Sequence, residues 1–307
     1  MSSLNWTAAS IPNQTNRRAI VTGANSGIGF YTALELARHG ATVVIASRDP
    51  RKAAEAAARI QNEIPSAKLE RSTLDLASLA SIHAFATTQT DIPLDLLIHN
   101  AGVMAPPKRK ETADGFELQF GTNVVGHFAL TALLLPQLNP TARVVTLASI
   151  AHKTGKLDFA DLQARASYNP MRAYQQSKLA DLIFAFELQR RLTLVSSTVQ
   201  SIAAHPGVAN TNLFHSPDHN AIVTAGRHFM GWIFDQLLNS QPSGALPTLY
   251  AATAPEAEPG GYYGPQGFQE MRGGDVGPAR VAPQSRDQAA AAHLWKVCEE
   301  LSGLRML

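Results

Sequence analysis

The chain of 307 residues contains a single cysteine, Cys298, so neither an internal disulfide nor a multi-cysteine metal site can form. A structural Cys in a helical-looking segment is the expectation there, the alternative being a catalytic thiol. Charged residues make up only 16%, the formal net charge is +2, and no dense basic stripe occurs, so a nucleic-acid partner is not expected. No run of about 18 consecutive apolar residues is present, which argues against a transmembrane segment. The opening MSSLNWTAASIPNQTN lacks the basic-then-apolar order of a secretory signal. His215 and His219 have ligand-like spacing, but Pro217 lies between them and no third ligand is evident, so no metal is expected. These absences point to a cytoplasmic protein.

What is there suffices for a large core: 45% of the residues are hydrophobic. An α/β fold often uses this length for one domain, so 1–307 is read as a single dinucleotide-binding domain with a polar leader over 1–16. Apolar runs without polar alternation occur at Ala19–Val21, Thr42–Ala46, Leu94–His99, Arg143–Leu147 and Thr198–Ile202. Such runs suit a parallel sheet covered on both faces. Helical periodicity fills the intervals at Ile28–Arg38, Pro50–Ile64, Leu76–Thr87, Phe116–Leu135 and Arg172–Leu192. The βαβα rhythm predicts a doubly wound Rossmann-type sheet with helices on both faces. Residues 207–240 interrupt the rhythm with an apolar cluster around Phe229, Trp232 and Phe234, read either as a substrate-covering insert or as core. Pro255–Pro283 reads as loops around a short strand near Tyr262, and a last helix is predicted over Asp287–Leu301.

Between the first strand and helix stands Thr22-Gly23-Ala24-Asn25-Ser26-Gly27-Ile28-Gly29. Glycines allow close backbone approach, and the helix that follows offers unpaired N–H groups to a pyrophosphate. The second strand ends in Ser47-Arg48-Asp49-Pro50. An Arg at this place suits the 2′-phosphate of NADP(H), whereas Asp49 fits a helix N-cap followed by Pro at the first helical position. Tyr174-Gln175-Gln176-Ser177-Lys178 puts a phenol and an ammonium on one helix face. A tyrosine ordinarily titrates near pH 10 and needs such a neighbour to exchange protons near neutrality. Ser149 ends a strand, Asn123 lies in the preceding long helix, and Asn100 follows the strand Leu94–His99.

Together these pieces resemble the short-chain dehydrogenase/reductase family from about Trp6 to the final helix. The matching motifs are the TGANSGIG turn, Asp75, the Asn100-Ala101-Gly102 turn, Asn123, Ser149, Tyr174-x3-Lys178 and Pro206-Gly207. The wide gap from Ser149 to Tyr174, filled by AHKTGKLDFADL, is similar to the retinol-dehydrogenase-like and protochlorophyllide-reductase-like branches. The resemblance implies a seven-stranded sheet, a nicotinamide cofactor and an Asn123–Ser149–Tyr174–Lys178 tetrad. In it Tyr is the acid/base, Ser polarises the carbonyl, Lys serves the ribose and the phenol, and Asn holds a relay water. Cofactor contacts are implied for Gly23, Asn25, Ser26, Gly27, Ile28 and Gly29, and for Asp75 and Leu76 beside the adenine. They continue through Asn100, Ala101 and Gly102 to Pro206, Gly207, Val208 and Thr211, the last at the carboxamide.

The expected function is therefore NADP(H)-dependent hydride transfer to or from an apolar carbonyl or alcohol, with room for a homo-oligomer. A cofactor-binding regulator without turnover is the reading from another class. Tyr168 is a rival proton donor, with Arg172 four residues on, but Pro170 intervenes and Arg does not exchange protons usefully. His99 reads as a hydrogen-bonded core residue, and His205 as a residue that shapes its loop.

Overall fold

The computed structural model describes residues 6–208 and 239–307. Among them eight strands form one sheet in the order β3-β2-β1-β4-β5-β6-β7-β8. They are β1 Arg18–Thr22, β2 Thr42–Ser47, β3 Lys68–Thr73, β4 Leu94–His99, β5 Leu138–Leu147, β6 Gln200–Ala204, β7 Tyr262–Pro265 and β8 Val276–Pro278. All neighbours run parallel except β8, which pairs antiparallel to β7. The expected seven-stranded sheet thus gains a short eighth strand. Its three residues sit in the Gly- and Pro-rich stretch, where no apolar period marks them. β3 also lacks an apolar run, because this strand at the opposite edge is largely exposed along its length.

Among the described residues the helices are α1 Gly27–Arg38, α2 Pro50–Glu63, α3 Leu79–Thr87, α4 Leu118–Gln137, α5 Pro170–Leu194, α6 Gln241–Thr253 and α7 Gln288–Ser302. One apolar layer joins α1, α2 and α6 to one face of the sheet, and a second joins α3, α4, α5 and α7 to the other. Pro247 lies inside α6, which hides this helix from a reading of the sequence. α4 is long and apolar enough to cross a membrane, yet 78% of its most apolar stretch is buried inside the protein. It is a core helix.

Local chemistry sets the helix starts. The Asp49 carboxylate accepts from the Arg51 and Lys52 amides, with Pro50 in the first turn, as the sequence predicted. Asn169 caps α5 in the same way, and Pro170 takes the first helical position. Tyr168 therefore lies before the helix that carries Tyr174. The strand order reverses between β1 and β4, and the crevice beyond the carboxyl ends of these strands is where such folds bind ligands.

Candidate active site

The crevice is a cavity of about 380 Å³ reaching from α1 and the end of β2 to α5. Gly23, Asn25, Ser26, Gly27, Ile28 and Gly29 line its floor. Gly27 has φ +59°, a left-handed conformation that side chains disfavour. At Gly29 a Cβ would stand 2.6 Å from the Gly23 carbonyl, so only glycine lets the helix close on the strand. Ser26 occupies the N-cap of α1 but makes no capping hydrogen bond with its side chain. Asp49, Ser78, Asn169 and Asp287 all do cap their helices. The first-turn amides of α1 are thus left to an anion, and the glycine cradle admits one. A pyrophosphate fits this site.

At the end of β2, Arg48 and Lys52 both line the cavity. Asp49 also lines it, but its Oδ1 is held at 2.9 Å by the Arg51 amide and 3.2 Å by the Lys52 amide. The Lys52 amide foremost keeps this carboxyl below the usual range. An oxygen committed to capping is poorly placed to receive a ribose hydroxyl. Asp75 and Leu76 line the neighbouring wall, and Asp75 Oδ1 accepts from the Ala77 amide at 3.0 Å.

Asn100 joins the ends of β1 and β4: its Nδ2 donates to the Thr22 carbonyl at 2.8 Å, and its amide donates to Thr22 Oγ1 at 2.9 Å. It supports the turn and, with Ala101 and Gly102, borders the cavity. Asn123 is fully buried behind that wall. Around it α4 loosens into a π-turn over Gly121–Val125, a distortion frequent at functional sites. The Asn123 carbonyl meets His127 Nδ1 at 2.8 Å, and His127 Nε2 lies 3.1 Å from Thr22 Oγ1. Burial drives the His127 pKa down to about 3, so the ring is neutral. A carbonyl only accepts, hence the proton sits on Nδ1 and Nε2 is an acceptor for the Thr22 hydroxyl, whose one proton it shares with the Ile98 carbonyl at 3.2 Å.

Tyr174 and Lys178 face the cavity from α5, one turn apart. Tyr174 is half-buried, and its phenol forms no hydrogen bond among the described residues. Lys178 is buried, and its Nζ donates to the Leu147 carbonyl and to Asp181 Oδ2, both at 2.8 Å. Burial disfavours this ammonium, but the charges of Asp181 and Tyr174 outweigh burial and raise its pKa above the ordinary lysine value. Burial pushes Asp181 up to about 6 against the pull of Lys178. Ser149 stands beside the cavity-lining Ala148 and takes the Ala151 amide on Oγ at 3.2 Å, which leaves its own O–H free to donate elsewhere.

Most of the expected site converges. Pro206 lines the cavity, and Gly207 and Val208 follow it with their backbone packed against Met271. Thr211, His215, His219 and the Phe229, Trp232 and Phe234 cluster lie outside the described residues. Tyr168 does not belong to the cavity lining: its hydroxyl donates to the Pro106 carbonyl at 2.8 Å and accepts from Gln119 at 3.2 Å. Burial foremost pushes its pKa up to about 12. Cys298 is buried, and burial raises its thiol, as suits a structural residue. His99 bonds to Thr131 and Thr146 in the core, and His205 Nδ1 takes the Gly207 amide, so it does shape its loop. Lys52, His127 and Asp181 join the site without a motif to mark them, and Ser177, inside the Tyr-Lys motif, gains a role only through Asn123. Asp181 is detectable, three residues after Lys178 on one helix face, and Lys52 as a second cation in the first turn after Arg48.

A parallel sheet with a glycine-bounded anion cradle at its switch point defines a dinucleotide-binding oxidoreductase. The chain belongs to the short chain dehydrogenase family, whose sequence profile matches residues 17–221. It is 42% identical over 302 residues to polyprenol dehydrogenase of Mus musculus, a match covering 95% of this chain and 86% of that one. It is also 42% identical over 303 residues to retinol dehydrogenase 13 of Homo sapiens, covering 96% and 86%. A solved structure of an uncharacterised protein from Mycobacterium paratuberculosis is similar, with a TM-score of 0.81 at 40% identity, covering 98% and 99%. Membership makes the chemistry hydride transfer with a nicotinamide cofactor.

Proposed function

We propose that the protein is a single-domain, NADP(H)-dependent oxidoreductase acting on an apolar alcohol or its carbonyl counterpart. The observation that carries this reading is one cavity holding both ends of the reaction. Arg48 and Lys52 line it and supply cations suited to a 2′-phosphate, and Tyr174 and Lys178 line it too and supply a phenol and an ammonium suited to the reacting end. When bound, the nicotinamide supplies or accepts the hydride. In the reducing direction, Tyr174 Oη gives its proton to the carbonyl oxygen as charge develops there. The Ser149 hydroxyl donates a hydrogen bond to the same oxygen and polarises the carbonyl. Lys178 directs an N–H toward the cofactor ribose, and its positive charge favours proton release from the phenol. Asn123 holds the loop that carries Gly102 and Val103 against α5.

The apolar substrate class is supported by the relatives named for retinol and polyprenol. Purified protein is to be mixed with NADPH or NADH and with retinal, a short polyprenal and small polar aldehydes. Consumption of NADPH with the apolar aldehydes supports the reading. NADPH binding without turnover of any of them would favour a regulatory protein instead. The cytoplasmic location expected from the sequence is part of this proposal, and fractionation of cells expressing the chain tests it.

A further inference from the structure

Lys178 sits in a place where a lone ammonium would be costly. Its side chain and that of Asp181 are 8% and 4% exposed, three residues apart on α5. An ammonium has three N–H donors. One goes to the Leu147 carbonyl on β5 and one to Asp181 Oδ2, which leaves a single donor for the cavity. The groups around the pair come from several elements. Tyr174 lies on the same helix, the neutral ring of His127 on α4 is within electrostatic reach of Lys178, and the buried thiol of Cys298 on α7 is within that of Asp181. A Cβ on Gly102 would come within 3.8 Å of Lys178 Nζ, so the cavity wall closes over it. Among these groups Asp181 is the one carboxylate in contact with the ammonium.

We propose that Asp181 is a positioning residue for the hydride-transfer site: it is the buried counter-ion that keeps Lys178 charged and aims its remaining N–H at the cofactor. The proposal rests on the assignment of Lys178 to the cofactor and Tyr174. Without its counter-ion a buried lysine loses its proton more readily, because low polarity disfavours the charged form. Asp181→Asn keeps an oxygen to accept the Nζ–H and nearly the same volume, and removes the charge.

The test follows NADPH affinity by fluorescence from about pH 7 to about pH 10 in wild type, Asp181→Asn and Lys178→Ala. Loss of affinity at the alkaline end should begin on the order of one pH unit lower in Asp181→Asn than in wild type. Lys178→Ala should bind NADPH weakly at every pH. If Lys178→Ala binds like wild type, the placing of Lys178 at the cofactor is wrong. If it binds weakly but Asp181→Asn follows the wild-type curve, the counter-ion proposal alone is overturned. A check without a folding risk uses the ¹⁵N signal of Lys178 Nζ in wild type, assigned by its absence in Lys178→Ala. That signal should remain ammonium above the ordinary lysine range near pH 10.4, and titration below that range would overturn the proposal.

Discussion

Asn123 and Val103 are joined by two reciprocal hydrogen bonds: the Val103 amide donates to Oδ1 at 2.8 Å, and Nδ2 donates to the Val103 carbonyl at 3.0 Å. The same Nδ2 reaches Ser177 Oγ at 3.0 Å on α5. One buried side chain thus ties the loop after β4 to the helix carrying Tyr174 and Lys178. Asn123→Ala leaves the part-buried Val103 amide and carbonyl without their side-chain partner, at up to about 1–3 kcal/mol each where water does not replace it. Urea unfolding should show a loss of about 2–4 kcal/mol, with turnover falling further than stability explains. Asn123→Asp should be the harsher change, since it sets a carboxylate oxygen against the Val103 carbonyl. Equal stability and turnover in the two variants would refute this ranking.

Tyr174→Phe removes a hydroxyl without a hydrogen-bond partner among the described residues, and little volume. Turnover should fall by about 10²–10⁴-fold, the usual worth of general acid–base catalysis. NADPH affinity should stay within about twofold, because no binding charge is lost. Tyr168→Phe should cost stability rather than chemistry, since its hydroxyl braces Pro106 and Gln119. A Tyr168→Phe enzyme that lost turnover while Tyr174→Phe kept it would reverse the assignment.

The cations at the end of β2 should separate the two cofactors. Replacing Arg48 or Lys52 by Ala should weaken NADPH about tenfold or more each, as expected for losing a charge-assisted contact to phosphate. NADH affinity should hardly move. The preference should also shrink as salt rises, because these groups stand at an open cavity and are screened. Titrations with both cofactors at two ionic strengths decide the matter, and equal affinities in wild type would sink it.

What the sequence disclosed was mostly local. Asp49-Pro50 marks a helix start within three residues, and Tyr174 with Lys178 shares a face by period alone. β1, β2 and β4 show as apolar runs because both faces of the sheet are covered. β3 and β8 do not, since an exposed edge and a three-residue strand carry no such run. Asn123, in the π-turn, bonds to Val103 and Ser177, 20 and 54 residues away, and His127 bridges to Thr22 across 105, all beyond the reach of a local window. Asp181 escaped notice because an acid three residues after a lysine ordinarily marks a solvated helix face, and only tertiary packing buries it.

Acid should destabilise the protein through its buried histidines. Burial drives His127 and His205 down to about 3 and His99 well below its ordinary value. Their folded-state pKa values are depressed, so the unfolded chain binds these protons first as pH falls below about 6.5. Stability is present above that pH and is lost on the way down, at about 1.4 kcal/mol per pH unit for each histidine. Asp181 acts in the opposite sense. Its folded carboxyl is raised to about 6, so it gains its proton before the unfolded chain does and offsets one histidine between pH 6 and its ordinary 3.8. The net expectation from these four groups near about pH 5 is an uptake of about two protons on unfolding. Urea unfolding at closely spaced pH values gives the total uptake as the slope of stability against pH, to which His152, lowered by burial, adds and from which Glu117, raised by burial, subtracts. His127→Gln, whose amide can still donate and accept, should lower the slope by about one proton. An unchanged slope would mean that His127 is already charged in the folded protein, and with it the tautomer that links Asn123 to Thr22 would fail.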